Sequence, residues 1–115
     1  MSTLHTLNAS AQQHSELCER LLRCSSTGDA ILLLSDGTYN LSNTSFLDAV
    51  KQKKLPLYAM TNDIQARGLQ RWENHAQRAD DGLFVTLSCQ YSKVVSWFPW
   101  TNHTLTKKDF CGIYR

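Results

Sequence analysis

The sequence predicts a doubly wound α/β fold, a parallel sheet with helices on both faces, from two observations. The first is residues 30–34, which are apolar without interruption between Asp29 and Ser35. A strand that is apolar at every position is covered on both faces, as the central strands of parallel sheets are. The second is an alternation of strand and helix patterns from the N-terminus to Gly68. In such folds the functional site lies in the loops at the carboxyl ends of the strands, which here begin with residues 35–37.

The first half of the chain predicts three strands, each followed by a helix. Residues 4–7, 30–34 and 57–60 are the strands, and residues 12–24, 45–54 and 62–68 are the helices. Residues 12–24 place Leu17, Leu21 and Cys24 at amphipathic spacing. Ser45 with Asp48 resembles a capping box for the second helix, and Asn62 or Asp63 is suited to cap the third. Residues 36–45 are rich in Gly, Asn, Ser and Thr and predict a loop.

The second half of the chain has a less regular pattern. Residues 71–81 are polar and carry no convincing strand. Residues 83–91 fit a strand and a helix equally well, with Asp80 or Asp81 as a possible helix cap. Residues 94–98 predict a last strand, which Pro99 ends.

The composition limits which classes of protein and partner this chain fits. A chain of 115 residues is one domain, and its net charge of +2 is too small to indicate direct binding to nucleic acid or an anionic membrane. No apolar run approaches the ~20 residues that span a bilayer, and the N-terminus lacks a signal-peptide pattern. We therefore expect a cytoplasmic protein whose cysteines, Cys18, Cys24, Cys89 and Cys111, are reduced thiols. Neither a phosphate-binding glycine loop nor a metal-spaced Cys/His set is present, so we expect no cofactor and no metal.

Four stretches in order and at matching spacing resemble the TusB/DsrH family. They are LHTLNAS (residues 4–10), GDAILLLSDGTYN (residues 28–40), LYAMTNDIQARGL (residues 57–69) and FVTL with the segment ending at Trp97. Family members are small subunits of sulfur-relay complexes. The resemblance implies a three-layer α/β/α fold of the DsrEFH-like type with a mostly parallel sheet. It also implies that residues from Leu83 form a helix.

The resemblance implies partners and a pathway as well. It implies a hexamer with two sister subunits, TusC-like and TusD-like, present in two copies each. TusB-type complexes pass persulfide sulfur towards 2-thiouridine at the wobble position of tRNA, so tRNA would be an indirect partner. DsrH-type complexes serve dissimilatory sulfur oxidation, and the sequence leaves both pathways open.

The sequence departs from the family pattern in two places, and the second departure sets the domain boundary. An apolar strand precedes the fourth helix in the family, whereas residues 74–79 are polar here, so this sheet edge is expected to be short or frayed. The family chain ends near Trp97. Residues 4–97 are therefore expected to form the DsrH/TusB-like domain, and residues 98–115 a C-terminal extension.

Sulfur relay needs an accessible thiolate, because the thiolate and not the thiol attacks sulfane sulfur. In the catalytic sister subunits, the resemblance places that cysteine in the loop after the third strand. The matching residues here, 60–63, contain no cysteine, and Asp63 would oppose a thiolate. DsrH-type members carry a cysteine in the first helix, where Arg20 or Leu21 stands here. Cys18 and Cys24 lie within a turn of that position and are the candidate persulfide carriers.

A structural interpretation is available for every one of these candidates. Cys18, Cys24 and Cys89 follow apolar patterns and are expected to be core residues, because cysteine is among the most buried residue types. His5 and Ser10 flank the first strand near where Asp36 and Asp63 should converge, but no nucleophile elbow accompanies them. His5 is therefore expected to be a hydrogen-bonded structural residue. Residues 51–54 and 67–71 are expected to be solvated cationic surface.

The sequence thus favours a non-catalytic accessory subunit of a sulfur-relay complex. Two alternatives stay open. One is a DsrH-like subunit that carries persulfide on Cys18 or Cys24 in dissimilatory sulfur oxidation. The other is a flavodoxin-like small-molecule binding domain, which the missing phosphate loop disfavours.

Overall fold

A computed structural model describes residues 2–99 and, for the backbone only, residues 113–114. Within these residues the chain forms six strands, four α-helices and one 3₁₀ segment. The strands are β1 (Thr3–Leu7), β2 (Ala30–Leu33), β3 (Leu57–Met60), β4 (Gln77–Ala79), β5 (Lys93–Trp97) and β6 (Ile113–Tyr114). The helices are α1 (Ser15–Cys24), α2 (Thr44–Gln52), α3 (Thr61–Ala66) and α4 (Asp81–Gln90), and the 3₁₀ segment is Ser35–Ser42.

All six strands belong to one sheet, in the order β4-β3-β2-β1-β5-β6. The pairs among β1 to β5 are parallel, and β6 pairs with β5 in the antiparallel direction. The mostly parallel sheet is therefore confirmed. The boundary between a domain at residues 4–97 and an extension stays a prediction, since residues 100–112 lie outside the described part of the chain.

β2 is the most completely buried strand that the structure describes. Ala30, Ile31, Leu32 and Leu33 all have zero exposure. Side chains alternate between the two faces of a strand, so zero exposure at consecutive positions requires cover on both faces. The prediction from the uninterrupted apolar run is confirmed.

The two faces of the sheet are covered unequally. On one face Leu7, Ile31 and Leu33 pack against α1, α2 and α3 in the larger apolar cluster. On the other face Leu4 and Leu32 belong to a smaller cluster, to which α4 contributes one buried side chain, Leu87. Helices on both faces make the three-layer α/β/α architecture, and the face under α4 has the thinner cover.

The strand β4 corrects the expectation that residues 71–81 carry no strand. Its backbone pairs with β3, with Tyr58 opposite Gln77 and Met60 opposite Ala79. Ala79 is buried, whereas Gln77 and Arg78 are exposed. An edge strand needs only one paired side and one buried residue, so its hydropathy pattern is too weak to read. The expectation of a short sheet edge is met.

Three helix starts show which polar residues act as caps. Asp80 caps α4 as predicted, because its Oδ1 accepts the Leu83 N–H at 2.8 Å. The prediction of a capping box at Ser45 is wrong, because Asn43 caps α2 and its side chain accepts the Phe46 N–H at 3.1 Å. α3 begins directly after β3 without a side-chain cap, so the capping role expected for Asn62 or Asp63 is also wrong.

The loop expected at residues 36–45 is mostly the 3₁₀ segment Ser35–Ser42, which begins with a close contact between backbones. The Leu34 N–H donates to the Leu7 carbonyl at 3.0 Å, and the Gly37 N–H donates to the Leu34 carbonyl at 2.9 Å. A Cβ atom added at Gly37 would lie 2.0 Å from the Leu7 carbonyl oxygen. Only glycine fits here, because the chain leaving β2 crosses directly over the end of β1.

A buried hydrogen-bonded network links β1 to the residues before β2 and to β5. The Trp97 indole N–H donates to His5 Nδ1 at 3.0 Å, and His5 Nε2 lies 3.0 Å from Asp29 Oδ2. An indole nitrogen only donates, so Nδ1 accepts and Nε2 carries the proton that faces Asp29. Both ring nitrogens are therefore used, which confirms His5 as a structural residue.

The carboxylate of Asp29 accepts three hydrogen bonds. Its carboxylate accepts the Thr3 N–H at 2.9 Å and the Ser26 N–H at 3.0 Å, besides the bond from His5. Burial alone raises the pKa of this carboxyl group. The bonds from Ser26, His5 and Thr3 outweigh burial, so the pKa of Asp29 lies below its ordinary value of 3.8.

We predict that Gly37→Ala lowers the free energy of unfolding by about 1–3 kcal/mol, because the new methyl group overlaps the backbone of Leu7. Gly82→Ala is the matched control, since the nearest atom to an added Cβ there is the Asp80 side chain at 3.5 Å. Urea unfolding monitored by circular dichroism measures both variants. Equal stability of the two variants would show that the crossing over β1 is not as tight as described.

We predict that Asp29→Asn lowers the free energy of unfolding by roughly 1–3 kcal/mol at neutral pH, because charged hydrogen bonds are lost. The folded-state pKa of Asp29 is depressed, so this stabilisation is present above the unfolded value and is lost as pH falls through the folded value. The stability difference between wild type and variant should therefore shrink below about pH 4.

The control for this prediction is Asp48→Asn. Asp48 is exposed, and its carboxylate has no hydrogen bond with any residue in the described ranges. Urea unfolding at a series of pH values from acid to neutral compares the three proteins. A difference between wild type and Asp29→Asn that stays constant down to the acid limit would contradict the depressed pKa.

Candidate functional site

The carboxyl ends of β2 and β3 meet in a polar network at the edge where the fold predicts a site. Asp63, in the first turn of α3, accepts the Ser35 N–H at 2.7 Å through its carboxylate. Ser35 follows β2 with a φ of 52°, in the left-handed region that a residue other than glycine adopts at a cost. The bond from Asp63 therefore fixes a strained turn at the end of the central strand.

Arg67, the residue directly after α3, closes the network. Its guanidinium donates to Asp36 Oδ1 from Nε at 3.1 Å and from Nη2 at 2.9 Å. It also donates to Ser35 Oγ at 3.3 Å and to the Asp63 carbonyl at 3.2 Å, and it lies 5.7 Å from the centre of the Tyr39 ring. Arg67 is thus a bonded part of the site, and the expectation that it belongs to a solvated surface is wrong.

The charges of this network do not suit a thiolate nucleophile. Two carboxylates, Asp36 and Asp63, surround one guanidinium, which is already paired with both of them. The first residues of α3 are Thr61, Asn62 and Asp63, so this helix start has hydroxyl, amide and carboxylate groups in place of a sulfur. The arrangement can hold the 3₁₀ segment and α3 together, but it offers no cysteine nucleophile.

Cys18 is a core residue, as predicted. Its side chain is 2% exposed, and its thiol donates a weak hydrogen bond to the Ala9 carbonyl at 3.7 Å. Burial raises the pKa of Cys18, and a hydrogen bond with Asn40 lowers it by a smaller amount, so that the pKa is about 11. This thiol is protonated at neutral pH and is shielded from a sulfur donor.

Cys24 and Cys89 are exposed, so the expectation that they are core residues is wrong. Cys24 is the last residue of α1, and the next residue, Ser25, occupies the inward position with its hydroxyl donating to the Leu21 carbonyl at 2.7 Å. Cys89 lies two residues after Leu87, the buried residue of α4, and so points to the opposite side of that helix. All three thiols are free, and Cys111 lies outside the described residues.

The structure does not bring His5 together with Ser10. His5 bonds to Asp29 and Trp97, and Ser10 lies in the loop after β1 beside Asn40. Asp36 and Asp63 do converge, but on Arg67 and away from the His5 network. A Ser/His/Asp hydrolase is therefore excluded for these residues.

Sequence reasoning missed Arg67 and Asn40. Arg67 stands four residues after Asp63, a helical spacing that favours an ion pair, and this was a signal that could have been used. Asn40 is 1% exposed and ties the loops after β1 and β2: its Nδ2 donates to the Ala9 carbonyl at 3.0 Å and its Oδ1 accepts the Ala11 N–H at 2.7 Å. The residues around Asn40 are rich in Gly, Asn, Ser and Thr, as in an ordinary loop, and gave no sign that Asn40 is buried.

No group of three or more His, Cys, Asp and Glu side chains in the described part of the chain is arranged to hold a metal ion. No helix in the same residues is both long enough and apolar enough to cross a bilayer.

Comparison with known proteins shows the family to which this chain is similar. A family model described as DsrH like protein matches residues 9–94. Proteins named Protein TusB from Salmonella arizonae and Salmonella newport are each 37% identical to this chain over 79 residues. Each alignment covers 67% of this chain and 83% of the relative. The chain therefore belongs to the TusB/DsrH family.

Proposed function

We propose that this chain is a non-catalytic, accessory subunit of a sulfur-relay complex that passes persulfide sulfur towards 2-thiouridine at the wobble position of tRNA. Family membership supports the sulfur-relay role. The observation that carries the accessory role is the network of Asp63, Arg67 and Asp36 at the start of α3. In sister subunits of this kind, a nucleophilic cysteine is expected at the matching loop.

The electrostatics of that loop support the proposal. A helix N-terminus favours an anion, and a thiolate there would gain from it. Here the anion at the start of α3 is the carboxylate of Asp63, which accepts the Ser35 N–H. A persulfide anion placed in this loop would face Asp36 and Asp63, whose shared counter-ion Arg67 is already engaged.

The thiols that the structure describes also support an accessory role. With a pKa of about 11, roughly one Cys18 thiol in ten thousand is ionised at neutral pH. Cys24 and Cys89 are accessible, but they occupy the C-terminal turns of α1 and α4. Carbonyl groups face outward at a helix C-terminus, and these favour cations over thiolates.

The partners in this proposal are TusC-like and TusD-like sister subunits, two copies of each in a hexamer with this chain. tRNA is an indirect partner, and the complex acts in the cytoplasm.

Helix α4 supports a role in assembly, because Val85 is 62% exposed and Leu83 and Phe84 are only partly buried. Apolar side chains that stay in contact with solvent on a thinly covered sheet face are typical of subunit interfaces. Trp97 has no part in this surface, since it is 1% exposed.

One observation favours a second function. Cys24 is exposed in the helix where DsrH-type members are expected to carry sulfur. A DsrH-like persulfide carrier in sulfur oxidation would therefore use Cys24, whereas Cys18 is too deeply buried for that role.

We predict that Cys18→Ser and Cys24→Ser each leave sulfur transfer through the reconstituted complex within roughly twofold of wild type, because neither thiol takes part in a transfer step. The complex is assembled from this chain and its two sister subunits, and its mass is checked by size-exclusion chromatography with light scattering. Transfer is measured as formation of 2-thiouridine in tRNA. Replacement of the acceptor cysteine in the sister subunit is the positive control and should abolish transfer.

Two results would contradict the proposal. A complex of the correct mass that loses transfer with Cys24→Ser would make this chain a carrier. A chain that stays separate from both sister subunits would remove the accessory role altogether.

A further inference from the structure

Four cations lie together at the ends of helices α1 and α2, and we call them the basic edge. They are Arg23 in the last turn of α1, Lys51 in the last turn of α2, and Lys53 and Lys54 directly after α2. Helices that connect parallel strands end at the amino edge of the sheet. The basic edge is therefore opposite the carboxyl edge, where Asp36 and Asp63 form the network with Arg67.

Lys53 shows that the ends of the two helices are adjacent. Its Nζ donates to the Leu22 carbonyl and, at 2.8 Å, to the Ser25 carbonyl, both at the end of α1. The ammonium group of Lys53 is thus used within the fold. The other three cations of the basic edge are exposed, and none of them forms an ion pair with any residue that the structure describes. Their charges are available to another molecule.

An apolar pocket of about 200 Å³ adjoins the basic edge. Its lining consists of four apolar and two basic side chains, Leu47, Val50, Leu55, Leu57, Lys51 and His75. The apolar residues are buried and the two basic ones are exposed, so the pocket has an apolar floor and a polar rim. Pockets for whole small molecules have volumes of roughly 300–1,000 Å³. This pocket is smaller, and its size suits a single aliphatic side chain.

The backbone of Lys54 gives a second indication that this edge has a role outside the fold. Lys54 follows the C-cap of α2 and has a φ of 58°, in the left-handed region. Glycine is the usual residue at this position after a helix, because any other residue adopts the conformation at a cost. The fold would be more stable with glycine. A lysine here is explained if its ammonium group binds a partner.

We propose that the basic edge docks an acidic, extended segment of a partner protein, which inserts one aliphatic side chain into the apolar pocket. Carboxylates on either side of that side chain would face Lys51 and Lys54, and a longer segment would reach Arg23. Charge complementarity selects the acidic partner, and the pocket selects a protein. The phosphates of RNA can pair with the same cations, but a nucleotide has no aliphatic group to fill the pocket.

The affinity of this surface depends on both parts. Ion pairs between exposed side chains contribute little each and are screened by salt, so the cations mainly set the rate and orientation of binding. The apolar side chain that enters the pocket is the anchor. The surface lies at the opposite edge of the sheet from Asp63. It is therefore independent of the accessory role in sulfur transfer, and either proposal can fail without the other.

The test is a titration of the full ¹⁵N-labelled chain with the acidic peptide Glu-Asp-Glu-Leu-Glu-Asp-Glu. We expect saturable shifts of the Lys51, Leu55 and His75 amide resonances, and weaker binding as salt is added. A peptide with alanine in place of leucine should bind roughly fivefold to tenfold more weakly. A uridine oligonucleotide of similar charge is the nucleic-acid probe and should bind more weakly than the leucine peptide.

Two variants test the cations separately from the fold. Lys51→Gln should weaken peptide binding by roughly twofold to fivefold, because one ion pair is lost. Lys93→Gln is its matched control, since it removes the same charge from an exposed residue on β5, three strands away from β3. Lys54→Gly should raise the thermal midpoint by roughly 3–6 °C and still weaken peptide binding. A residue with only a structural role would not give these opposite effects.

Each part of the proposal has a result that would overturn it. Absence of saturable shifts at Lys51, Leu55 and His75 would remove the docking surface. Equal binding of the leucine and alanine peptides would show that the pocket takes no anchor. Equal affinity of Lys51→Gln and Lys93→Gln would show that only net charge matters. Tighter binding of the oligonucleotide than of the leucine peptide would make the surface a site for nucleic acid.

Discussion

The burial of β2 on both faces is the constraint on which the rest of the structure depends. β2 is apolar and has zero exposure at every position, so it has no polar side chain of its own, and chemistry on this strand must lie beyond its end. The chain leaves β2 through the left-handed Ser35 and crosses over β1 at Gly37, where a side chain has no room. The hydrogen bond from the Ser35 N–H to the Asp63 carboxylate holds this turn in place. β2 and the turn that follows it thus form one structural unit.

This arrangement explains how the fold is stable without a nucleophile at the start of α3. The start of α3, which directly follows β3, lies beside the turn that follows β2, and a thiolate there would sit at a helix N-terminus. In this chain the same place is taken by Asp63, whose carboxylate stabilises the exit of the central strand, and by Arg67, which joins it to Asp36. These contacts stabilise the fold. Its charges favour a scaffold role within an assembly over a transfer step.

The parts of the fold that were predictable are those fixed by local sequence. The apolar run of β2, the Asp80 cap of α4 and the end of α3 at Gly68, with a φ of 63°, depend on neighbouring residues alone. β4 was missed because a polar edge strand is specified by its pairing with β3, which no local pattern records. The exposure of Cys24 was missed because it depends on where α1 ends relative to the sheet. The Arg67 network joins the 3₁₀ segment to α3, two elements distant in the sequence, and only the spacing between Asp63 and Arg67 indicated it.

We propose that no thiol of this chain carries sulfur during the relay, and mass spectrometry of the assembled complex is the direct test. The complex is loaded with a persulfide donor, alkylated, and digested so that each cysteine of this chain lies in its own peptide. The account predicts that the sister subunit's acceptor peptide gains the mass of one sulfur, while the peptides of Cys18, Cys24, Cys89 and Cys111 do not. A sulfur on Cys24 that appears with the donor and leaves when an acceptor is added would contradict it.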